Sequence, residues 1–296
     1  MTAIILSENV IPGLPSASAV EIIGATAYVI GDDSAFLHQL EAATLARTGQ
    51  VLLLDSVPDR IRKHDKPDLE CMAALRWPDG RPGLLLLGSG SRPNRARGWF
   101  VPIEATPPTP EALDLAPLFA ELGAHLPAGV ALNLEAAATT DTELLLFQRT
   151  VGRADAALLF VLPLEATLRF LGAEPGAALP APHQLVFQLP TIDGCPAGFS
   201  GATFVEGRLF VSASVEDTGD AVLDGAVLGS FIGLVDVPAQ TATFARLAWA
   251  DGRAYRGKVE GLAVRRALGP NRWEMLLVTD DDAGGSTAVV AEVAVA

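Results

Sequence analysis

The chain has 296 residues, half of them hydrophobic, with two cysteines and a formal net charge of −14 at pH 7. That charge repels phosphate backbones and argues against nucleic acid as a partner. Two cysteines cannot build a disulfide framework, no apolar run is long enough to span a bilayer, and Met1 to Ile11 lacks the basic segment of a secretion signal, so the expected compartment is the cytoplasm.

Residues 2–7 read as a lone strand. A unit then recurs along the chain: a polar residue leads a small or apolar run, a turn follows, and an apolar strand ends in polar residues. The copies begin at Ser18 (then Thr26 to Asp33), Glu70 (then Leu84 to Ser91), Glu135 (then Glu143 to Arg149), Ser200 (then Arg208 to Ser214) and Glu260 (then Glu274 to Asp282). The spacings are 52, 65, 65 and 60 residues, too long for one hairpin and suited to a four-stranded blade with loops. Helical patterning is confined to Glu111–Leu122, between the Pro-rich stretch 106–110 and Pro127, and is predicted as an insertion. After Glu260 three strands remain, near 259–264, 273–279 and 287–295, so the strand at 2–7 supplies a fourth. The predicted fold is all-β, a five-bladed β-propeller closed by the N-terminal strand pairing into the last blade. It forms a single domain over residues 1–296, because the repeat runs through every Pro/Gly-rich segment.

In such a fold the first strand of each blade lines the axis, so Ser18, Glu70, Glu135, Ser200 and Glu260 converge on one mouth. Three carboxylates in a low-dielectric channel repel one another. They are protonated, separated by water, or gathered around a cation. Oxygen donors from separate strands suit Ca²⁺ better than Mg²⁺, and a ring without His or Cys is wrong for zinc. Calcium is therefore the expected cofactor, with these five residues as its ligands; a water-filled polar plug is the alternative.

The second strands end in Asp32-Asp33-Ser34, Ser89-Gly90-Ser91, Gln148-Arg149, Ser212-Ala213-Ser214 with Glu216-Asp217, and Thr279 to Asp282, all expected at the same mouth. Arg60, Arg62, Lys63, Lys66, Arg92, Arg95, Arg97, Arg149, Arg153 and Lys258 join them, with Arg149 and Lys258 nearest the ring positions. A cation ringed by arginines would take an anionic small molecule; a solvated charged rim is the plain reading of any single arginine. Gly252 to Lys258 nearly spells a phosphate loop but lacks the closing Ser/Thr and a following helix. No Gly-x-Ser-x-Gly occurs, and the histidines show no metal spacing; His38 reads as structural and His64 as a weak acid–base candidate.

The order Ser, Glu, Glu, Ser, Glu on five inner strands, with Glu260-Gly261-Leu262-Ala263 and Ser200-Gly201, resembles the calcium-activated nucleotidases (apyrases), five-bladed propellers with an axial Ca²⁺. The resemblance covers the ring and the blade count, and implies that the five ring residues hold calcium directly or through water. Across most of its length the chain is similar to an uncharacterised bacterial propeller family. The segments that carry this are Gly31-Asp32-Asp33-Ser34, Lys66-Pro67-Asp68-Leu69-Glu70, Gly88-Ser89-Gly90-Ser91 and Ser214-Val215-Glu216-Asp217-Thr218.

Two functions follow. The first is a Ca²⁺-dependent hydrolase of a phosphorylated or other anionic small molecule, or of a lactone or ester. Asp32, Asp33, Glu216 or Asp280 would orient or deprotonate a water there, and Arg149 would steady developing charge. The second is a non-catalytic propeller that binds a ligand or a protein, its axis pinned by a structural ion or by waters.

Overall fold

The computed structural model describes residues 1–54, 60–105, 107–149, 157–217, 225–281 and 284–295. Among these the regular structure is almost entirely strand. After β1 (Thr2–Val10), β2 (Ala17–Ile23), β3 (Thr26–Gly31), β4 (Phe36–Glu41) and β5 (Arg47–Leu52) form a four-stranded antiparallel meander. The same pattern recurs in β6 (Leu69–Arg76), β7 (Pro82–Gly88), β8 (Arg97–Pro102) and β9 (Glu111–Asp114). It recurs again in β10 (Leu134–Thr139), β11 (Glu143–Gln148), β12 (Leu158–Pro163) and β13 (His183–Val186). A short hairpin, β14 (Thr191–Ile192) with β15 (Cys195–Pro196), precedes β16 (Gly198–Val205), β17 (Arg208–Asp217), β18 (Ala226–Asp236) and β19 (Thr241–Trp249). The last strands are β20 (Lys258–Gly269), β21 (Arg272–Asp280) and β22 (Ser286–Ala294).

β1 lies antiparallel to β22, with Ala3 opposite Val293, and so adds a fourth strand to that last sheet. Its other edge runs parallel to β19, with Ala3 opposite Leu247, which joins the last two sheets into one of eight strands. An edge strand from the start of the chain thereby covers two exposed edges at the end of it.

The second strand of each meander is apolar on both faces, as in Leu84–Leu87 of β7 and Leu144–Phe147 of β11. The reason is that each sheet packs against a neighbour on either side. One core joins β2–β5 to β6–β8 around Ile30, Leu37 and Leu86. The next joins the β6 and β10 sheets around Leu85, Phe100 and Leu146. A third joins the β10 and β16 sheets, where Phe147 meets Phe199 edge to face at 5.0 Å. A fourth carries Phe210 against Trp273 at 5.0 Å. A fifth returns from β21 and β22 to β2 and β3 through Leu276, Val278, Val20 and Val29. The inner strands β2, β6, β10, β16 and β20 touch in that order, and β20 touches β2, so they close a ring.

Two elements depart from the sequence reading. Residues 111–122 do not make one helix: Glu111–Asp114 is the edge strand β9, with Leu113 opposite Gly98 and buried. The helix α1 (Ala116–Ala124) starts only where Pro117 supplies its preset φ in the first turn. A second helix, α2 (Leu164–Leu171), follows β12; it seats Leu168 and Leu171 in the core beside Trp77. Among the described residues no helix is long and apolar enough to cross a membrane.

The ring is tightest at two glycines. A Cβ on Gly261 would stand 2.8 Å from the Cα of Ala19, and one on Gly201 would stand 3.0 Å from the Cα of Gly261. Both clashes are with backbone that cannot swing aside. Gly261→Ala is expected to destabilise the fold by about 1–3 kcal/mol, read as a lower melting temperature with an unchanged far-UV spectrum.

Candidate functional site

The ladder between each inner strand and its neighbour is interrupted near its start. The pairing skips from Ala17 to Ala19 on β2, from Leu69 to Cys71 on β6, and from Leu134 to Ala136 on β10. It skips from Phe199 to Gly201 on β16 and from Val259 to Gly261 on β20. The residues passed over are Ser18, Glu70, Glu135, Ser200 and Glu260. A bulge leaves its extra residue unpaired and re-aims the side chain, so one polar group per sheet is set at the same level of the ring.

The two serines use their hydroxyls locally. Ser18 Oγ donates to the carbonyl of Leu69, and Ser200 Oγ donates to the carbonyl of Val259 at 2.6 Å. In each case the acceptor lies just before the bulge residue of the next sheet. Ser214 Oγ donates to the same Val259 oxygen at 2.6 Å, filling both of its lone pairs.

The carboxylates divide into two groups. Around Arg149, whose side chain is 5% exposed, lie Glu135 Oε2 at 3.2 Å and Glu260 Oε2 at 3.4 Å from Nη1, with Glu216 on Nη2. Lys258 Nζ completes this group, 3.1 Å from Glu260 and 3.4 Å from Glu216. Arg149 reaches the axis because its stem lies over Gly198, where a Cβ would come within 2.7 Å of its Cγ. Its backbone N–H donates to the Asn133 carbonyl at 2.9 Å. Burial pushes the Glu135 carboxyl up to about 7; Arg149 draws it down, and Glu260 pushes it further up.

The other group surrounds Lys66, which donates to Asp32 and, at 2.8 Å, to Asp68. Arg95 Nη1 donates to Asp68 at 2.6 Å and to Ser91 Oγ at 2.7 Å, and Ser89 Oγ donates to Asp68 as well. Glu70 stands beside them. Burial holds its carboxyl well above the usual range, and the charges of Glu135, Asp68 and Asp32 add to the effect. Oxygens of Asp32, Asp68 and Glu70 lie within 4.8 Å of one another, and Asp32 Oδ1 is buried without a hydrogen-bond partner. Burial raises the Asp32 carboxyl too, against the pull of Lys66.

Of the remaining sequence candidates, Asp33 accepts from Arg60 at the edge of this group. Asp280 sits opposite Lys258 in the β20–β21 register, and its charge is felt at Arg60. Arg62, Lys63, Arg92 and Arg97 are exposed on the rim. Arg153, Thr218 and Asp282 lie outside the described residues. His38 is buried between Ser34 Oγ at 2.9 Å and Arg47 at 2.7 Å, and burial lowers its pKa to about 4, so it is neutral. His64 is exposed beside Asp65. Asp68 was not singled out by the sequence reading, yet it binds Lys66, Arg95 and Ser89 at once. It stands just ahead of β6 with a left-handed φ of +56°, a local turn that its spacing of two from Glu70 does not reveal.

Below the ring the axis narrows to a void of about 10 Å³ among Ala19, Glu70, Glu135, Gly201 and Gly261, room for about one water.

Removing Arg149 strands three buried carboxylates. Arg149→Met is expected to cost about 3–5 kcal/mol at pH 7, measured by urea unfolding, with part of the loss recovered toward pH 5 as the Glu135 carboxyl takes a proton. The wild type carries the same sign through Glu135. A carboxyl raised from 4.5 to about 7 on folding contributes stability that is full below 4.5 and lost as pH rises through 7. The unfolding free energy is therefore expected to fall from pH 5 to pH 7, and Glu135→Gln to flatten that slope.

The chain is similar in structure to glutaminyl cyclase of Myxococcus xanthus, with a TM-score of 0.52 at 12% identity over 100% of this chain and 98% of that one. The Cps50 (Swd1) β-propeller domain of Myceliophteria thermophila gives a TM-score of 0.42 at 10% identity over 95% of this chain and 99% of that one. At these identities the likeness shows the fold alone, a β-propeller. No curated protein matches the chain in sequence. Residues 13–293 match a family of unknown function, DUF6929, and the chain belongs to that family.

Proposed function

We propose that this chain is a five-bladed, non-catalytic β-propeller that serves as a binding scaffold, its axis pinned by the protein's own cations. The observation that carries the reading is the place of Arg149. Its guanidinium lies among Glu135, Glu216 and Glu260, with Lys258 behind it. Carboxylates already held by a buried arginine are poor donors for a metal, and an arginine held by three carboxylates is a poor receptor for an anionic substrate. The hydroxyls of Ser18 and Ser200 are likewise engaged on backbone carbonyls.

A second reading keeps calcium and the resemblance to the calcium-activated nucleotidases. It draws on Asp32, Asp68 and Glu70, whose oxygens lie close enough to share an ion, and on the unpartnered Asp32 oxygen. Those donors fit a hard cation in kind, but Lys66 now holds two of them and would have to withdraw. With calcium there, the ion would polarise a bound phosphoryl or ester oxygen; Asp33 and Asp280 are the carboxylates left at the edge to orient a water.

Thermal unfolding separates the two. The scaffold reading expects the same melting temperature in millimolar Ca²⁺ and in EDTA, and no turnover of nucleotides, phosphate esters or lactones in either. A Ca²⁺-dependent rise in melting temperature that Asp68→Asn abolishes, together with turnover that EDTA stops, would replace it with the calcium hydrolase.

A further inference from the structure

The inner strands carry a second polar position nearer their far ends. On β2 it is Glu21, three residues beyond Ser18 and so about 10 Å further along the axis. Glu21 lines a pocket of about 200 Å³ with Thr139, Thr203, Phe204 and Val264. This pocket shares Ala74, Thr139, Phe204 and Val205 with a cleft of about 880 Å³ on the same face, walled by Ile23, Leu75, Trp77 and Ile103. The two form one depression with an apolar approach and a carboxyl at its inner end.

The surroundings of that carboxyl are unlike those of the ring carboxylates. Its hydrogen bonds come from the backbone N–H groups of Ala74 and Ile22. Among the described residues no Lys, Arg or His pairs with it. Arg76, Asp141, Glu165 and Glu206, the charged residues of the adjoining cleft, do not line its pocket. A buried carboxyl that faces a cavity with no cation beside it offers a ligand its charge and its lone pairs. An anion would be repelled once the carboxyl ionises, and a neutral ligand leaves the acid protonated and gains nothing from its charge. A small hydrated metal ion would find apolar walls where it needs oxygens. A protonated amine satisfies the carboxylate and donates to it, and an alkyl body attached to the amine gains by covering the walls.

We propose that this face binds a primary amine with an apolar body, its ammonium paired with Glu21 and its body lying in the cleft toward Trp77. Thr139 adds an acceptor at the pocket wall; its hydroxyl already donates to the Ala74 carbonyl at 2.6 Å, so its lone pairs remain to receive an ammonium proton. The acidic surface, at −14 overall, draws cations toward the site and keeps anions away.

Burial sets the resting state, with the Glu21 carboxyl pushed up to about 8. The empty pocket therefore holds a neutral acid at pH 7. An ammonium must displace that proton, so binding weakens as pH falls through 8, approaching a loss of about tenfold per pH unit well below it. The far end of the axis, with Arg149, takes no part, and the outcome here is independent of the calcium experiment above.

The test is calorimetric titration of the full-length protein with hexylamine, hexan-1-ol and hexanoate. Hexylamine is expected to bind at least tenfold more tightly than hexanol at pH 8, hexanoate not at all, and the hexylamine affinity to fall by about fivefold from pH 8 to pH 7. Glu21→Gln, which mimics the neutral acid and should keep the wild-type melting temperature at pH 7, is expected to bring hexylamine down to the affinity of hexanol. Equal affinities for hexylamine and hexanol in the wild type, no binding of either, or an unchanged preference in a folded Glu21→Gln protein would each overturn the proposal. Should Glu21→Gln fail to fold, the three-ligand comparison on the wild type still decides it.

Discussion

Carboxylates at the head of the inner strands have to be compensated away from water, and much of the molecule's polar architecture answers to that. The constraint begins with the backbone. Each inner strand carries one residue more than its partner can pair, and that residue is the polar one. Because a bulge re-aims its extra residue, Glu70, Glu135 and Glu260 are brought to one level of a narrow ring, above a void with room for about one water. A buried anion without a partner costs several kcal/mol. The neighbouring strand ends and loops therefore supply cations at that level: Arg149 after β11, Lys258 at the start of β20, and Lys66 before β6.

Charge neutralisation is incomplete by design of the same geometry. The Arg149 group is close-paired on both guanidinium nitrogens. The Lys66 group sets one ammonium against Asp32, Asp68 and Glu70, and burial holds the Glu70 carboxyl well above the usual range. At the other end of the axis no Lys, Arg or His among the described residues pairs with Glu21, and burial pushes its carboxyl up to about 8. The axis thus runs from a closely paired end to one without a paired cation, where a pocket of about 200 Å³ opens beside the carboxyl.

The part of this that showed in the sequence is the part set by local pattern. A polar residue followed by a small apolar run marks each inner strand, and the three strands after Glu260 short of a fourth pointed to β1, which pairs with β22. What did not show depends on contacts distant in sequence. Nothing in Gln148-Arg149 says that the arginine folds inward over Gly198 to meet Glu216 and Glu260, 67 and 111 residues away. The three-way binding by Asp68 needs Lys66 and Arg95 from different loops. Residues 111–114 look helical beside 116–124 because four residues are too few to reveal a period of two; only pairing with β8 makes them a strand. Glu21 lies within the run that Ser18 leads and shows no role there, since its neighbours in the pocket, Thr139 and Thr203, lie on other repeats.

The alternation of serine and glutamate around the ring has a steric logic. A serine hydroxyl is short and bonds the carbonyl just before the bulge residue of the next sheet, as Ser18 does to Leu69 and Ser200 to Val259. A glutamate reaches past that point to the axis. Each serine is followed by a sheet headed by glutamate, Glu70 in one case and Glu260 in the other, so those carboxyls have a neutral neighbour on one side. Glu135 follows Glu70 directly, with no serine between them, and this is where two acids crowd. Arg149, anchored on the strand next to Glu135, neutralises that acid and Glu260 beyond it. Glu70 stands on the other side, out of the guanidinium's pairing, and burial with the charge of Glu135 holds its carboxyl well above the usual range. The order of residues around the ring therefore decides which acid is paired with the arginine and which is not.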